Sequence, residues 1–332
     1  MQQNPLNAPS AYWPTQRGPA NTLTSHQQTS YDVAIIGDGI MGLLTALILS
    51  TKGKKVCVID KGVIGNEAAG NNGGMVLDLM EGSPIKTAQR YRTKLGIIIT
   101  RKILEISRRS VDDMTHLHRD YGVETDFQKI GYVTAGKDEA DQHQFAQSHR
   151  FVSKLLPKLY DLKKLLFLSR DEIGSPVFIG GIFSKNGGIY NPAKTMTSLL
   201  KLLSSKRVRI FENTEIIHLE AGTKSSVDIT ASSGHAMNAK TVVLAGGGSY
   251  NLLNWVKDFT KPCPVVTGMI ATSPLPEALY VRMANGAKTE VPVQGSQTYG
   301  PPYWRFELLD NGQKRLLFGS GARAGTHEYK FI

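Results

Sequence analysis

The feature that most constrains this chain is the turn Gly37-Asp38-Gly39-Ile40-Met41-Gly42. A G-x-G-x-x-G by itself is weak evidence, but this one follows the apolar, β-branched run Tyr31-Asp32-Val33-Ala34-Ile35-Ile36. Such a run reads as a strand buried on both faces of a parallel sheet. Ile40 to Lys52 then reads as a helix, and Lys55 to Asp60 as a second buried strand that ends in an acid. The acid falls at the spacing of roughly 20 residues that a dinucleotide fold requires. Gly37 allows the tight turn, Gly39 lets the backbone approach a pyrophosphate, and Gly42 lets the helix pack closely on the sheet. The helix start offers free N–H groups and a positive dipole end to phosphate. Asp60 can accept hydrogen bonds from an adenosine ribose and would repel the 2′-phosphate of NADP. Asp38 is the discordant residue, because a carboxylate inside a phosphate loop is unfavourable unless it points away.

The rest of the 332 residues supports a two-lobed α/β protein (α+β overall). Residues 1–29 carry four prolines among polar residues and read as an extended arm. Residues 61–84 read as a loop, 85–121 as a long helix, 123–127 and 130–135 as short strands, and 139–164 as a helix. Pro192 opens a helix to about Ser204, at a position where proline is tolerated. Strands are predicted at 208–211, 215–219, 226–230, 241–245, 263–271 and 303–309. Asp310-Asn311-Gly312 joins the last of these to 315–318 as a hairpin. The net charge of +11 is dispersed, and its richest stretch, Arg90 to Arg109, has the spacing of a solvated helix face. No zinc spacing or RNA-binding signature accompanies it, so no nucleic-acid partner is expected. Cys57 lies in an apolar run and Cys263 between two prolines, which makes no disulfide framework. No secretory signal and no apolar run of about 18–20 residues is visible, so no integral membrane segment is expected and the location is expected to be cytoplasmic.

The segment after the second strand separates flavin from nicotinamide. Gly65-Asn66-Glu67-Ala68-Ala69-Gly70-Asn71-Asn72-Gly73-Gly74 resembles the G-x-x-A-S-G-R-N-G-G segment of the D-amino-acid-oxidase superfamily, in particular of the gamma-glutamylputrescine-oxidoreductase-like enzymes. Ala69 stands where that family has Ser, and Asn71 where it has Arg. Asn186 to Pro192, Phe211 to Ile216, Thr241 to Gly247 and Arg315 to Gly321 resemble later family segments in the same order. The resemblance implies a Rossmann-like FAD-binding domain (30–125 and 185–260) interleaved with a mixed-sheet substrate domain (126–184 and 261–332). It implies FAD contacts from Gly37, Gly39, Ile40, Met41, Gly42, Asp60, Lys61, Ala68, Ala69, Asn72, Gly73, Gly74, Met75, Ile216, Ala245 and Gly246. The expected reaction is oxidation of an amine or amino acid by hydride transfer to flavin N5, giving an imine that hydrolyses.

Substrate contacts are expected from the second sheet. Tyr303 and Arg305 are two apart on a strand and share a face. Arg305 suits a substrate carboxylate and Tyr303 could cap it. The alternative is an exposed Arg beside a packed Tyr, and Arg323 and Tyr299 are weaker candidates. Family members continue beyond the hairpin, so the substrate domain is expected to be incomplete at its carboxyl end, with a second chain as one source of the remainder. Two other readings stand beside the flavoenzyme: a non-catalytic remnant or subunit of a split enzyme, and an NAD-dependent dehydrogenase, which would not need the 65–74 loop.

Overall fold

The computed structural model describes residues 30–78, 85, 88–89, 94–157, 166–174, 177–223, 225–247, 265–284, 292–295, 302–309 and 311–324. The arm at 1–29, Cys263 and Tyr299 lie outside these residues. In chain order the elements are β1 (Ser30–Ile36), α1 (Ile40–Thr51), β2 (Val56–Ile59), β3 (Met75–Leu77), α2 (Lys94–Tyr121), β4 (Tyr132–Gly136), α3 (Glu139–Leu155), β5 (Leu166–Ser169), α4 (Arg170–Ile173), β6 (Gly180–Ser184) and β7 (Gly187–Ile189). They continue as α5 (Pro192–Ser205), β8 (Arg209–Phe211), β9 (Ile216–Ala221), β10 (Val227–Ala231), β11 (Ala236–Leu244), β12 (Val265–Ala271), α6 (Glu277–Ala284), β13 (Val293–Gly295), β14 (Tyr303–Leu308) and β15 (Lys314–Ala324).

The chain divides into two compact units: Met1–Asn72 with Val123–Thr125 and Asn191–Pro264, and Gly73–Gly122 with Asp126–Tyr190 and Val265–Ile332. Gly73–Gly122 therefore groups differently from the division expected above. Its strand β3 is hydrogen-bonded to β7, with Met75 opposite Ile189, which ties it to the second unit.

In the first unit a six-stranded sheet runs β8-β2-β1-β11-β10-β9. β8, β2, β1 and β11 are parallel, β10 runs antiparallel to β11, and β9 runs antiparallel to β10. Strands buried on both sides must be apolar along their length; β2 is buried at all four positions. The core built on this sheet gathers Tyr31, Ala34, Cys57, Ile59, Phe211, Ile216, Leu219 and Ile229. Helices α1 and α5 pack on each other, the first burying Leu43, Ala46 and Leu47, the second Met196, Leu199, Leu200 and Leu203. Burial pushes the Cys57 thiol up to about 12, so it is inert packing.

The second unit is built on a seven-stranded mixed sheet, β12-β15-β14-β13-β4-β6-β5. Beside β3 it holds a buried carboxylate: Asp78 accepts hydrogen bonds from Tyr132 Oη at 2.8 Å, Asn186 Nδ2 at 3.1 Å, Ser184 Oγ at 3.4 Å and Arg108 Nη1 at 3.4 Å. Burial raises its pKa, while Tyr132, Asn186, Arg108 and Ser184 pull it down.

Several sequence expectations are corrected. Residues 123–127 form no strand; Gln128 alone makes an isolated bridge to Ile189, and Asp126 has φ 50°. The helix expected to Lys164 ends at Leu155, because Pro157 holds Leu156 out of the helical region (φ −129°, ψ 57°). The 61–84 loop contains β3, three residues long and too short to show a period. β13 and α6 were not foreseen.

Candidate cofactor and substrate sites

In the first unit β1 sits between β2 and β11, and all three point their carboxyl ends the same way. The carboxyl ends of parallel strands are where open α/β sheets bind ligands. Gly37 (φ +113°) lies so close to the next strand that a Cβ would meet the Ala245 carbonyl carbon at 2.4 Å. A Cβ on Gly42 would meet Gly37 O at 2.1 Å. A Cβ on Gly39 would meet nothing within 4 Å, so its backbone is open to an approaching group. Gly39 is the N-cap of α1, with no side-chain cap and no acid in the first turn. The N–H groups of that turn lack intrahelical acceptors. Ile40 is half-buried and Met41 is exposed.

Asp60 ends β2 and is held from both oxygens. It accepts the Asp38 backbone N–H at 3.1 Å and the Gly62 N–H at 2.7 Å. It also shares a side-chain hydrogen bond with Asp38, and as an acceptor-only group it suits a ligand hydroxyl. The chain crossing from β8 to β9 passes over this end of the sheet. The Thr214 N–H donates to Asp60 O at 2.7 Å and the Asn213 N–H to Gly62 O at 3.0 Å. Ile216 follows at the start of β9, with its side chain buried. Ala245 extends the β11–β1 ladder through its N–H to Ile36 O at 2.7 Å, and Gly246 has open space where a Cβ would stand.

The loop after β2 folds on itself. Asn71 Nδ2 donates to Asn66 O at 2.8 Å, and Asn72 Nδ2 to the carbonyls of Ala68 and Ala69, both at 3.0 Å. Lys61 and Ala68 are exposed and Ala69 is half-buried. Glu212 was not foreseen in this loop: its carboxylate accepts the Ile64 N–H at 2.8 Å across 148 residues of sequence, and no local pattern could reveal it.

Asp38 is 3% exposed, and its Oδ2 is buried without a hydrogen-bond partner. Burial first, then neighbouring Asp60, raises its carboxyl to about 7. The discordance seen in the sequence is therefore a physical feature of the turn. Apart from it, the tight glycines, the open Gly39 and the uncapped helix start fit a dinucleotide pyrophosphate, and Asp60 fits its ribose.

In the second unit, Gly73, Gly74, Tyr303 and Arg305 come together around β14. Its residues alternate between faces. Trp304 stacks on Phe178 with ring centroids 5.5 Å apart, and Phe306 meets Tyr280 edge-on at 5.1 Å. On the other face the Tyr303 ring lies between two glycines: a Cβ on Gly73 would meet Tyr303 Cε2 at 2.5 Å, and one on Gly319, opposite in register, would meet Cζ at 2.1 Å. Burial raises the Tyr303 pKa. Arg305 is buried at 4% exposure, and its Nη2 donates to Tyr190 O at 3.2 Å. The exposed-Arg alternative is therefore wrong. Gly74 O accepts the Tyr190 N–H at 2.9 Å, and Met75 opens β3. Arg323 lies on β15.

Residues 32–330 match the FAD dependent oxidoreductase family, and the chain belongs to it. Among curated relatives, the Haemophilus influenzae protein called probable oxidoreductase OrdL is 28% identical over 300 residues, covering 87% of this chain. The chain spans 64% of that relative's length. Gamma-glutamylputrescine oxidoreductase of Escherichia coli is 23% identical over 317 residues, 92% of this chain and 68% of that protein. Among solved structures, glycine oxidase from Geobacillus kaustophilus shares the fold with a TM-score of 0.62 at 16% identity, over 91% of this chain and 74% of the other. Among the described residues no helix is long and apolar enough to cross a membrane.

Proposed function

We propose that this chain oxidises a small amine or amino acid with FAD. The observation that carries the reading is the Gly37–Gly42 turn at the carboxyl ends of β1 and β11, with Asp60 beside it at the end of β2. The names of two similar proteins, a gamma-glutamylputrescine oxidoreductase and a glycine oxidase, support a nitrogen-bearing substrate. When bound, FAD supplies a two-electron acceptor: a hydride leaves the α-carbon of the neutral amine, and water hydrolyses the resulting imine.

The chain's own residues hold and orient. The first-turn N–H groups of α1 and the backbone of Gly39 would hold the pyrophosphate, with Ile40 and Met41 following it into the helix. Asp60 would accept from the adenosine ribose, and the backbone near Ile216, Ala245 and Gly246 would line the adenine side. Lys61, Ala68, Ala69, Asn72, Gly73, Gly74 and Met75 would line the pyrophosphate and the ring. Arg305, whose Nη2 is fixed on Tyr190 O, would hold a substrate carboxylate by charge-assisted hydrogen bonding. Tyr303, fixed between Gly73 and Gly319, would cap it.

A screen of amines and amino acids for anaerobic bleaching of the holoprotein tests the reaction, and Arg305→Lys tests the carboxylate contact. Lysine keeps the charge but loses the planar fork, so KM for a carboxylate-bearing substrate should rise at least about tenfold with the flavin spectrum unchanged. An unchanged KM would remove Arg305 from the substrate site.

A further inference from the structure

We propose that Asp38 couples cofactor binding to a proton: the flavin dinucleotide binds the Gly37–Gly42 turn when Asp38 and Asp60 together carry one negative charge, and is released when they carry two. The inference rests on the FAD reading above and concerns a residue which that reading leaves without a role.

Asp38 stands between Gly37 and Gly39, immediately before the helix end that would receive a phosphate, and is 3% exposed. Its Oδ2 is buried and unpartnered. Among the described residues two acids act on it: Asp60, which accepts the Asp38 backbone N–H at 3.1 Å and shares a side-chain hydrogen bond with its carboxyl, and Glu67 in the loop that follows β2. Against Gly37 the chain at the end of β11 sets Ala245 and Gly246, both uncharged. The Gly65 N–H favours the charged form, but burial and Asp60 outweigh it, and the carboxyl is raised to about 7. A carboxyl buried beside a second carboxylate gives up its proton reluctantly. A pyrophosphate at the same helix end adds further negative charge and claims the dipole that would otherwise favour an ionised Asp38. Protonation removes this conflict without moving a residue. No covalent step is involved; the complex carries one more proton than the free, doubly ionised turn.

The test is the affinity of the full chain, stripped of flavin, for FAD between about pH 6 and 9, read by flavin fluorescence. For the wild type, Kd should be flat at the acid end and then rise, approaching tenfold per pH unit. Calorimetry near pH 8 in buffers of different ionisation enthalpy should show proton uptake approaching one per FAD. Asp38→Asn should bind with a flat profile and should be at least about tenfold tighter than wild type at pH 9. If that variant does not fold, Asp38→Ser carries the same comparison, and the wild-type proton uptake needs no variant. FAD binding that is independent of pH, or an Asp38→Asn profile with the wild-type slope, overturns the coupling and leaves the cofactor reading standing. Failure of wild type and variants to bind FAD at any pH overturns the cofactor reading and the coupling with it.

Discussion

Asp38 in the first unit and Asp78 in the second are both almost fully buried, at 3% and 2% exposure, yet they are treated in opposite ways. Asp78 is surrounded by donors: Tyr132, Asn186 and Ser184 bond to it, and Arg108 adds a positive charge. Asp38 has an unpartnered oxygen, and among the described residues two more acids act on it. Burial raises both carboxyls, but the partners of Asp78 work against that rise and the acidic neighbours of Asp38 add to it. A buried acid with its donors in place pins strands together. One left short of donors is held near its neutral form and responds to pH or to a ligand.

The largest way to break this contrast is Asp78→Ala. It leaves Tyr132, Asn186, Ser184 and Arg108 without their common acceptor, and should cost about 3–5 kcal/mol in urea unfolding. A loss below about 1 kcal/mol would show that Asp78 does not organise the second unit. Next is Asp38→Asn, whose effect depends on pH. A carboxyl raised from 3.8 to about 7 on folding contributes stability that is fully present below about pH 4 and lost as pH rises to about 7. Asparagine has no proton to lose, so the variant should gain on wild type across that window, by up to roughly 4 kcal/mol at pH 8. A gap that stays constant with pH would mean that Asp38 is not held near its neutral form. The smallest is Tyr132→Phe, which removes one of the donors to Asp78 and should cost about 2 kcal/mol, with the Asp78 carboxyl rising further. No change in the midpoint would show that the remaining donors suffice.

The same contrast explains what could be read from sequence. The β1–α1–β2 segment was legible because its signals are local: an apolar run, three glycines at fixed spacing, and an acid at the end of the next run. Even the anomaly at Asp38 was visible, because its position in the motif is enough to identify it. In the second unit the constraints are distant in sequence. Asp78 meets Asn186 across 108 residues, and Arg305 meets Tyr190 across 115. Gly73 read as a flavin-loop residue, but the structure gives its small size a second reason, the Tyr303 ring lying on it. β13 has three residues and takes its identity from β4 and β14 on either side, not from its own pattern.

The claim on which the rest depends is that this chain holds FAD. The direct measurement is the visible absorbance spectrum of the purified chain, saturated with FAD near pH 6.5, where Asp38 should keep its proton, and passed through gel filtration. The account predicts flavin bands that elute with the protein, with absorbance shifted from that of free FAD. A colourless protein peak, with all flavin in the small-molecule fraction, would contradict it.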